Sequence, residues 1–143
     1  ATGDFLEGFG VAGQGVGELN LPAGLALTAS GDLVVANSFN HRIELFSQDG
    51  DHHFGFRGFG SGDGQLDLPQ SVKVAANGDL FVADTGNNRV QQFDASGQFI
   101  QMIGAPGAGD GQFRFPEDLA FDSEGNLYVA DTGNDRIQKF TPA

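Results

Sequence analysis

The chain contains no cysteine, no tryptophan and one methionine, and only 7 of its 143 residues are basic. Without cysteine there is neither a disulfide nor a thiolate metal site. Seven basic against 19 acidic residues leave a formal charge of −12. A phosphate backbone would meet repulsion instead of releasing counterions, so no nucleic-acid partner is expected. Long apolar runs are also missing. Nothing approaches the roughly 20 residues that cross a bilayer, and the opening residues lack the charged-then-apolar layout of a signal peptide, so no membrane partner is expected. Glycine is abundant, at 23 residues, which is the composition of a chain that turns often.

The sequence repeats. Pro22, Pro69 and Pro116 lie 47 residues apart, as do Arg42, Arg89 and Arg136, and Phe46, Phe93 and Phe140. Segments 3–49, 50–96 and 97–143 superpose without a gap and share 12 of 47 positions. The frame is therefore one repeat array with no second domain, and its copies have diverged widely outside the shared positions. In the third copy four strands read as QFIQMI at 98–103, DLAF at 118–121, LYVA at 127–130 and RIQKF at 136–140. Short runs rich in Val, Ile, Leu and Phe, bounded by Gly, Asp and Asn, predict antiparallel all-β structure with four strands per repeat and no helix.

The strings GxGxGQF, P and GNLYVADTGNDRIQKF within 107–140, repeated as GSGDGQL, P and GDLFVADTGNNRVQQF within 60–93, resemble the NHL repeat. The first copy is looser, with Asn37 in place of the Asp and Phe39 in place of a Gly. The resemblance covers essentially the whole chain. It implies a β-propeller, usually six-bladed in that family, with one four-stranded blade per repeat. Propellers close with about 4 to 8 blades, so three blades leave two apolar flanks facing water. Two chains about a twofold axis would supply six. The expected form is a homodimer closing one ring, with the strand at 4–9 completing the last blade of the partner chain. A piece of a longer six-bladed parent would need the same closure.

A residue present in every blade serves a need that every blade has. Asp84 and Asp131, with Asn37 in the first copy, end a strand before a tight turn, where a short polar side chain accepts backbone N–H groups. The arginine of each copy is expected on carbonyls or on a neighbouring blade's carboxylate. Gly107, Gly109 and Gly111 look superficially like a phosphate-cradling loop, but no helix follows to bind the anion.

Function is sought where the copies differ. The inter-blade loop and the loop between strands two and three share one face of a propeller, and their variable residues include Phe39, His41, Phe59, Asp63, Asn88, Pro106, Asp110 and Asp135. Aromatics beside small polar residues suit contact with a protein or a glycan. A second candidate is the channel mouth, where Gln70 and Glu117 follow the prolines and Asp118 follows Glu117. The resemblance extends to six-bladed propeller hydrolases and lactonases that hold Ca²⁺ with channel carboxylates. Calcium takes about six to eight oxygens, and the equivalent Ala23, Gly24, Gln70 and Ser71 offer few. His52 and His53 are adjacent on a strand and point to opposite faces, His41 has no second histidine at its equivalents, and no nucleophile motif is present. No catalytic residue, metal or cofactor is expected. The leading expectation is a non-enzymatic, self-assembling half-propeller whose loop face binds protein or glycan. The alternatives are self-assembly with no ligand, and a calcium-dependent hydrolase or lactonase centred on Glu117 and Asp118.

Overall fold

The computed structural model describes residues 3–141 as three antiparallel sheets, the blades, packed face to face. A short parallel pair, β1 (Val11–Ala12) and β2 (Glu18–Leu19), leads into blade 1, which consists of β3 (Pro22–Leu27), β4 (Leu33–Asn37), β5 (Arg42–Phe46) and β6 (His52–Phe56). Blade 2 consists of β7 (Pro69–Val74), β8 (Leu80–Asp84), β9 (Arg89–Phe93) and β10 (Phe99–Ile103). A second parallel pair, β11 (Ala105–Pro106) and β12 (Gln112–Phe113), crosses to blade 3, formed by β13 (Pro116–Phe121), β14 (Leu127–Asp131) and β15 (Arg136–Phe140). Strands pair in chain order within each blade, so every blade is a meander.

Local chemistry explains the elements. The second strands read LVVAN, LFVAD and LYVAD with no polar alternation, as strands covered on both faces do. The first hairpin of each blade turns at Gly31, Gly78 and Gly125, at φ of 89°, 91° and 81°. A side chain at those angles would be strained, and glycine is not. In place of the helix-free second turn read from sequence, each blade has one 3₁₀ turn, at Ser38–Asn40, Thr85–Asn87 and Thr132–Asn134. Each is followed by a residue in the left-handed conformation, His41, Asn88 or Asp135.

The core lies between blades. Val34, Ala36, Ile43 and Leu45 of blade 1 meet Val72, Leu80, Val82 and Phe93 of blade 2 around Leu66. Phe81, Ala83 and Val90 of blade 2 meet Leu119, Leu127 and Val129 of blade 3 around Phe113. The outer flanks have no such cover. Val72 is fully buried, whereas Leu25, one period earlier, is 56% exposed; Val90 is fully buried, whereas Ile137, one period later, is 67% exposed. Residues 4–9, read from sequence as a strand, lie outside any strand of the single chain, and among the described residues blade 3 has three strands. No helix among the described residues is long and apolar enough to cross a membrane.

Candidate functional site

The invariant polar residues form one anchor per blade. In blade 2 the Asp84 carboxylate accepts the Asp67 amide at 2.7 Å, Arg89 Nε at 2.7 Å, Asn87 Nδ2 at 2.9 Å and Gln91 Nε2 at 3.0 Å. Arg89 then donates to the crossover carbonyls of Gly62 and Gln65. Blade 3 repeats the set with Asp131, Arg114, Arg136, Asn134 and Gln138. The carboxylate belongs to the arginine's own blade, not to a neighbouring one as one reading of the sequence had it. These groups clamp each crossover loop to its blade and are spent there. Burial pushes the Asp84 carboxyl above its ordinary range despite these bonds. At Asp131 burial also pushes upward, but the bonds from Arg114, Asn134 and Arg136 outweigh it and hold the carboxyl below that range.

Blade 1 solves the same problem differently. Asn37 Oδ1 accepts the Asn20 amide at 2.8 Å, but its other side-chain atom is now a donor, bonding the Glu18 carbonyl and, at 3.3 Å, the Glu44 carboxylate. Glu44 stands where blades 2 and 3 carry Gln91 and Gln138. It is buried, pairs with Arg42, and takes His52 Nε2 at 2.8 Å. The single negative charge that each arginine needs has moved seven residues along the chain, and His52 is occupied with it.

The loop-face residues share one end of the fold, since Asn40, Asn87 and Asn134 tie the second turn of each blade to the crossover carbonyls of Gly13, Gly60 and Gly107. Phe39, Phe59, Asp63, Pro106 and Asp110 are exposed on that end, with the Phe59 ring edge-on to His41 at 4.9 Å. His41 and Asn88 reach across blade junctions. His41 Nδ1 accepts the Leu68 amide at 3.1 Å and lies 3.3 Å from Asp67, while Asn88 Oδ1 accepts the Phe115 amide at 2.8 Å. Asp135 occupies the same place on the open side of blade 3.

At the same end the inner strands begin. Each carries a bulge after its proline, which splays out Ala23, Gln70 and Glu117. Gln70 Nε2 donates to Ser38 Oγ at 3.1 Å, and Thr132 Oγ1 donates to Glu117 at 3.3 Å. Asp118 is the convergence point. Its Oδ1 accepts Ser71 Oγ at 2.8 Å and the Leu119 amide at 2.9 Å, with Lys73 Nζ at 3.9 Å. Ser71 is buried, so it positions the carboxylate and does not face a ligand; the Asp118 side chain is 70% exposed. The first junction has no counterpart, because Gly24 replaces the partner and its backbone sits directly on Ser71. An exposed carboxylate fixed by a hydroxyl and an amide can take a proton from water, and the ammonium beside it can steady a developing oxyanion. The Ser71–Asp118–Lys73 set was not read from sequence as a group. Its signal was the Gly24, Ser71, Asp118 series, the one inner-strand position whose side chain grows from nothing to hydroxyl to carboxylate.

Among the described residues a calcium site does not fit. No three of His, Asp and Glu converge among the described residues, and two carboxylates fall far short of about six to eight oxygen ligands.

Comparison with known proteins gives the frame its context. The NHL repeat matches residues 19–46, 66–93 and 113–140. No curated protein sequence matches the chain. Among solved structures, a streptogramin B lyase superposes with a TM-score of 0.66 at 20% identity over 84% of this chain and 37% of its own. A catalytically inactive virginiamycin B lyase from Staphylococcus aureus with quinupristin gives 0.65 at 11% identity, over 93% of this chain and 44% of its own. A gluconolactonase from Xanthomonas campestris gives 0.61 at 21% identity, over 87% and 40%. At these identities the likeness establishes the fold, and the chain spans about two fifths of those proteins' length. The expectation of a non-enzymatic protein- or glycan-binding scaffold is corrected here, because the solved proteins sharing this frame include lyases and a lactonase.

Proposed function

From the premise that the chain belongs to the NHL-repeat family, whose repeat matches three segments of it, we propose that it supplies an enzymatic site of the hydrolase or lactonase kind at the inner-strand mouth. The observation that carries the proposal is Asp118, exposed yet held by Ser71 and the Leu119 amide with Lys73 beside it, on a frame shared with a gluconolactonase. Asp118 removes a proton from a water molecule, and that water forms the new C–O bond to a lactone carbonyl. The Lys73 ammonium faces the oxyanion of the tetrahedral intermediate. The ring C–O bond then breaks, the ring oxygen takes up the proton, and a hydroxy acid leaves. Gln70 and Glu117 flank the mouth, and the exposed loop residues Phe39, Phe59, Asp63, Pro106 and Asp110 select which ring reaches it.

The mouth is a full channel entrance only in a closed ring. Two chains about a twofold axis supply six blades, and the uncovered Leu25 and Ile137 flanks supply the reason to associate. The domain then acts as one half of a two-chain enzyme.

Turnover of a panel of five- and six-membered aldonolactones tests the reading, followed by proton release at neutral pH in chelator and again in millimolar calcium. The expected result is hydrolysis above the spontaneous rate, lowered about 10²-fold or more by Asp118→Asn with the fold unchanged. Absence of turnover in both buffers overturns it.

A further inference from the structure

We propose that residues 5–9 of a second copy of this chain form the fourth strand of blade 3, antiparallel to β15, with Phe5 opposite Phe140, Glu7 opposite Lys139 and Phe9 opposite Ile137. The inference rests on the ring-closure reading above and adds the register.

The register follows from the two complete blades. Residues 5–9 are one period before β6 and two before β10. In blade 1 Ile43 faces Phe56, Leu45 faces Phe54 and Phe46 faces His52, with a bulge at His53. In blade 2 Val90 faces Ile103, Gln92 faces Gln101 and Phe93 faces Phe99, with a bulge at Ile100. Both bulge residues are exposed. Moving this pattern on by one period sets Leu6 as the outward bulge and pairs Phe5, Glu7, Gly8 and Phe9 with Phe140, Lys139, Gln138 and Ile137.

Chemistry matches at the pair that varies most. It is apolar in blade 1, Leu45 with Phe54, and a hydrogen-bonded amide pair in blade 2, where Gln101 Nε2 donates to Gln92 Oε1 at 2.7 Å. In blade 3 the strand side is Lys139, already lying 3.3 Å from Asp122 and over the Tyr128 ring. Opposite it the second copy brings Glu7. Directly opposed unlike charges favour pairing, and like charges oppose it.

A cavity awaits the same strand. Between blades 2 and 3 lies a space of about 460 Å³, lined by Phe81, Gln92, Gln101, Ile103, Phe121 and Phe140 among others. At the first junction the equivalent place is filled by Phe99, whose ring stands edge-on to Phe93 with centroids 6.2 Å apart. The counterpart of Phe99 is Phe5, which is 85% exposed in the single chain. Phe9 already packs on Phe46 of its own blade 1 at 5.9 Å, as Phe56 packs on Phe93 at 5.3 Å.

A second contact falls at the same junction. His41 and Asn88 each accept the amide of a residue held at positive φ on the next blade, Leu68 at 47° and Phe115 at 48°. Asp135 is the third acceptor of this series, and Leu21, at φ 47°, carries the third donor amide. They are at opposite ends of one chain and meet only when Leu21 comes from a second copy. One occupant therefore satisfies the edge, the cavity, the charge and the amide together, which an unrelated strand would not.

Analytical ultracentrifugation of the full chain across a dilution series, with Phe5→Ala, Glu7→Lys, Lys139→Glu and the Glu7→Lys/Lys139→Glu double variant, tests it. The expected result is a wild-type dimer whose dissociation constant rises about tenfold with either charge reversal and about 100-fold or more with Phe5→Ala. The double variant recovers most of the charge-reversal loss. A monomeric wild type overturns both the ring closure and this strand exchange. A wild-type dimer indifferent to Phe5→Ala, or charge variants that do not rescue each other, overturns the strand exchange alone.

Discussion

The two blade junctions share one plan, with Ile103 and Phe113 in the second where the first has Phe56 and Leu66, and the second lacks a covering fourth strand among the described residues. Between blades 1 and 2, Phe93 is sandwiched by Phe56 and Phe99, both supplied by fourth strands, and is fully buried. Between blades 2 and 3 the equivalent Phe140 has Phe113 on one side and the cavity on the other. The side chain is the same and so is its place in the strand. Burial here is a property of the neighbours a blade acquires, and a propeller blade is stable in proportion to how many of its faces and edges are met.

The largest effect expected from this comparison is in the core. Phe93→Ala should cost about 4 kcal/mol in chemical denaturation, and Phe140→Ala roughly half of that or less in the monomeric state. In the proposed dimer the two costs should converge. Equal costs in the monomer would break the comparison, since they would mean that the second junction already packs like the first.

A smaller effect separates packing from charge within a covered anchor. Glu44→Gln removes the carboxylate that Arg42 and His52 share and should cost about 2 kcal/mol. Adding Asn37→Asp recreates the arrangement of blade 2, and the double variant should return to within about 0.5 kcal/mol of wild type. Additive losses would mean that blade 1 depends on the position of its charge and not merely on its presence.

Much of this was legible in the sequence, for a physical reason. The spacing of proline, arginine and phenylalanine gives the period, the Gly-rich turns give the strands, and recurrence of Asn and Arg behind an Asp or Asn in each copy marks the set as structural. The Glu44 relocation is also visible, as the one copy in which Asp becomes Asn while Gln becomes Glu seven residues on, a signal carried by the pair and by neither position alone. The Ser71–Asp118–Lys73 set and the junction bonds of His41 and Asn88 were not legible. They join residues of different blades, and which face of the inner strand meets the next blade depends on the bulge after each proline. A bulge shifts every side chain beyond it to the other face, and a proline followed by a variable residue does not announce one.

The smallest effect, and the one that probes the open junction most directly, is on acid titration. Asp84 and Asp131 have no accessible surface and equivalent partners, but Arg89 is nearly covered and Arg136 is 28% exposed. More protein surrounds Asp84, so desolvation prevails and its carboxyl titrates above the ordinary value of 3.8, whereas hydrogen bonds prevail at Asp131 and it titrates below 3.8. The signs are opposite. Asp131, with its folded value depressed, contributes stability that is present above about 3.8 and is lost as pH falls through the folded value. Asp84, with its folded value raised, binds a proton more readily when folded, so acidification from its raised value down to 3.8 favours the folded state. Carboxyl carbon NMR of the monomeric chain should therefore find the two midpoints on opposite sides of 3.8. Amides of β14 and β15 should lose hydrogen-exchange protection at low pH before those of β8 and β9. In the proposed dimer a second copy would surround Asp131 as Asp84 is surrounded, and its midpoint should then move upward; a midpoint unmoved by dimerisation would show that the difference between the junctions lies in the residues and not in their cover.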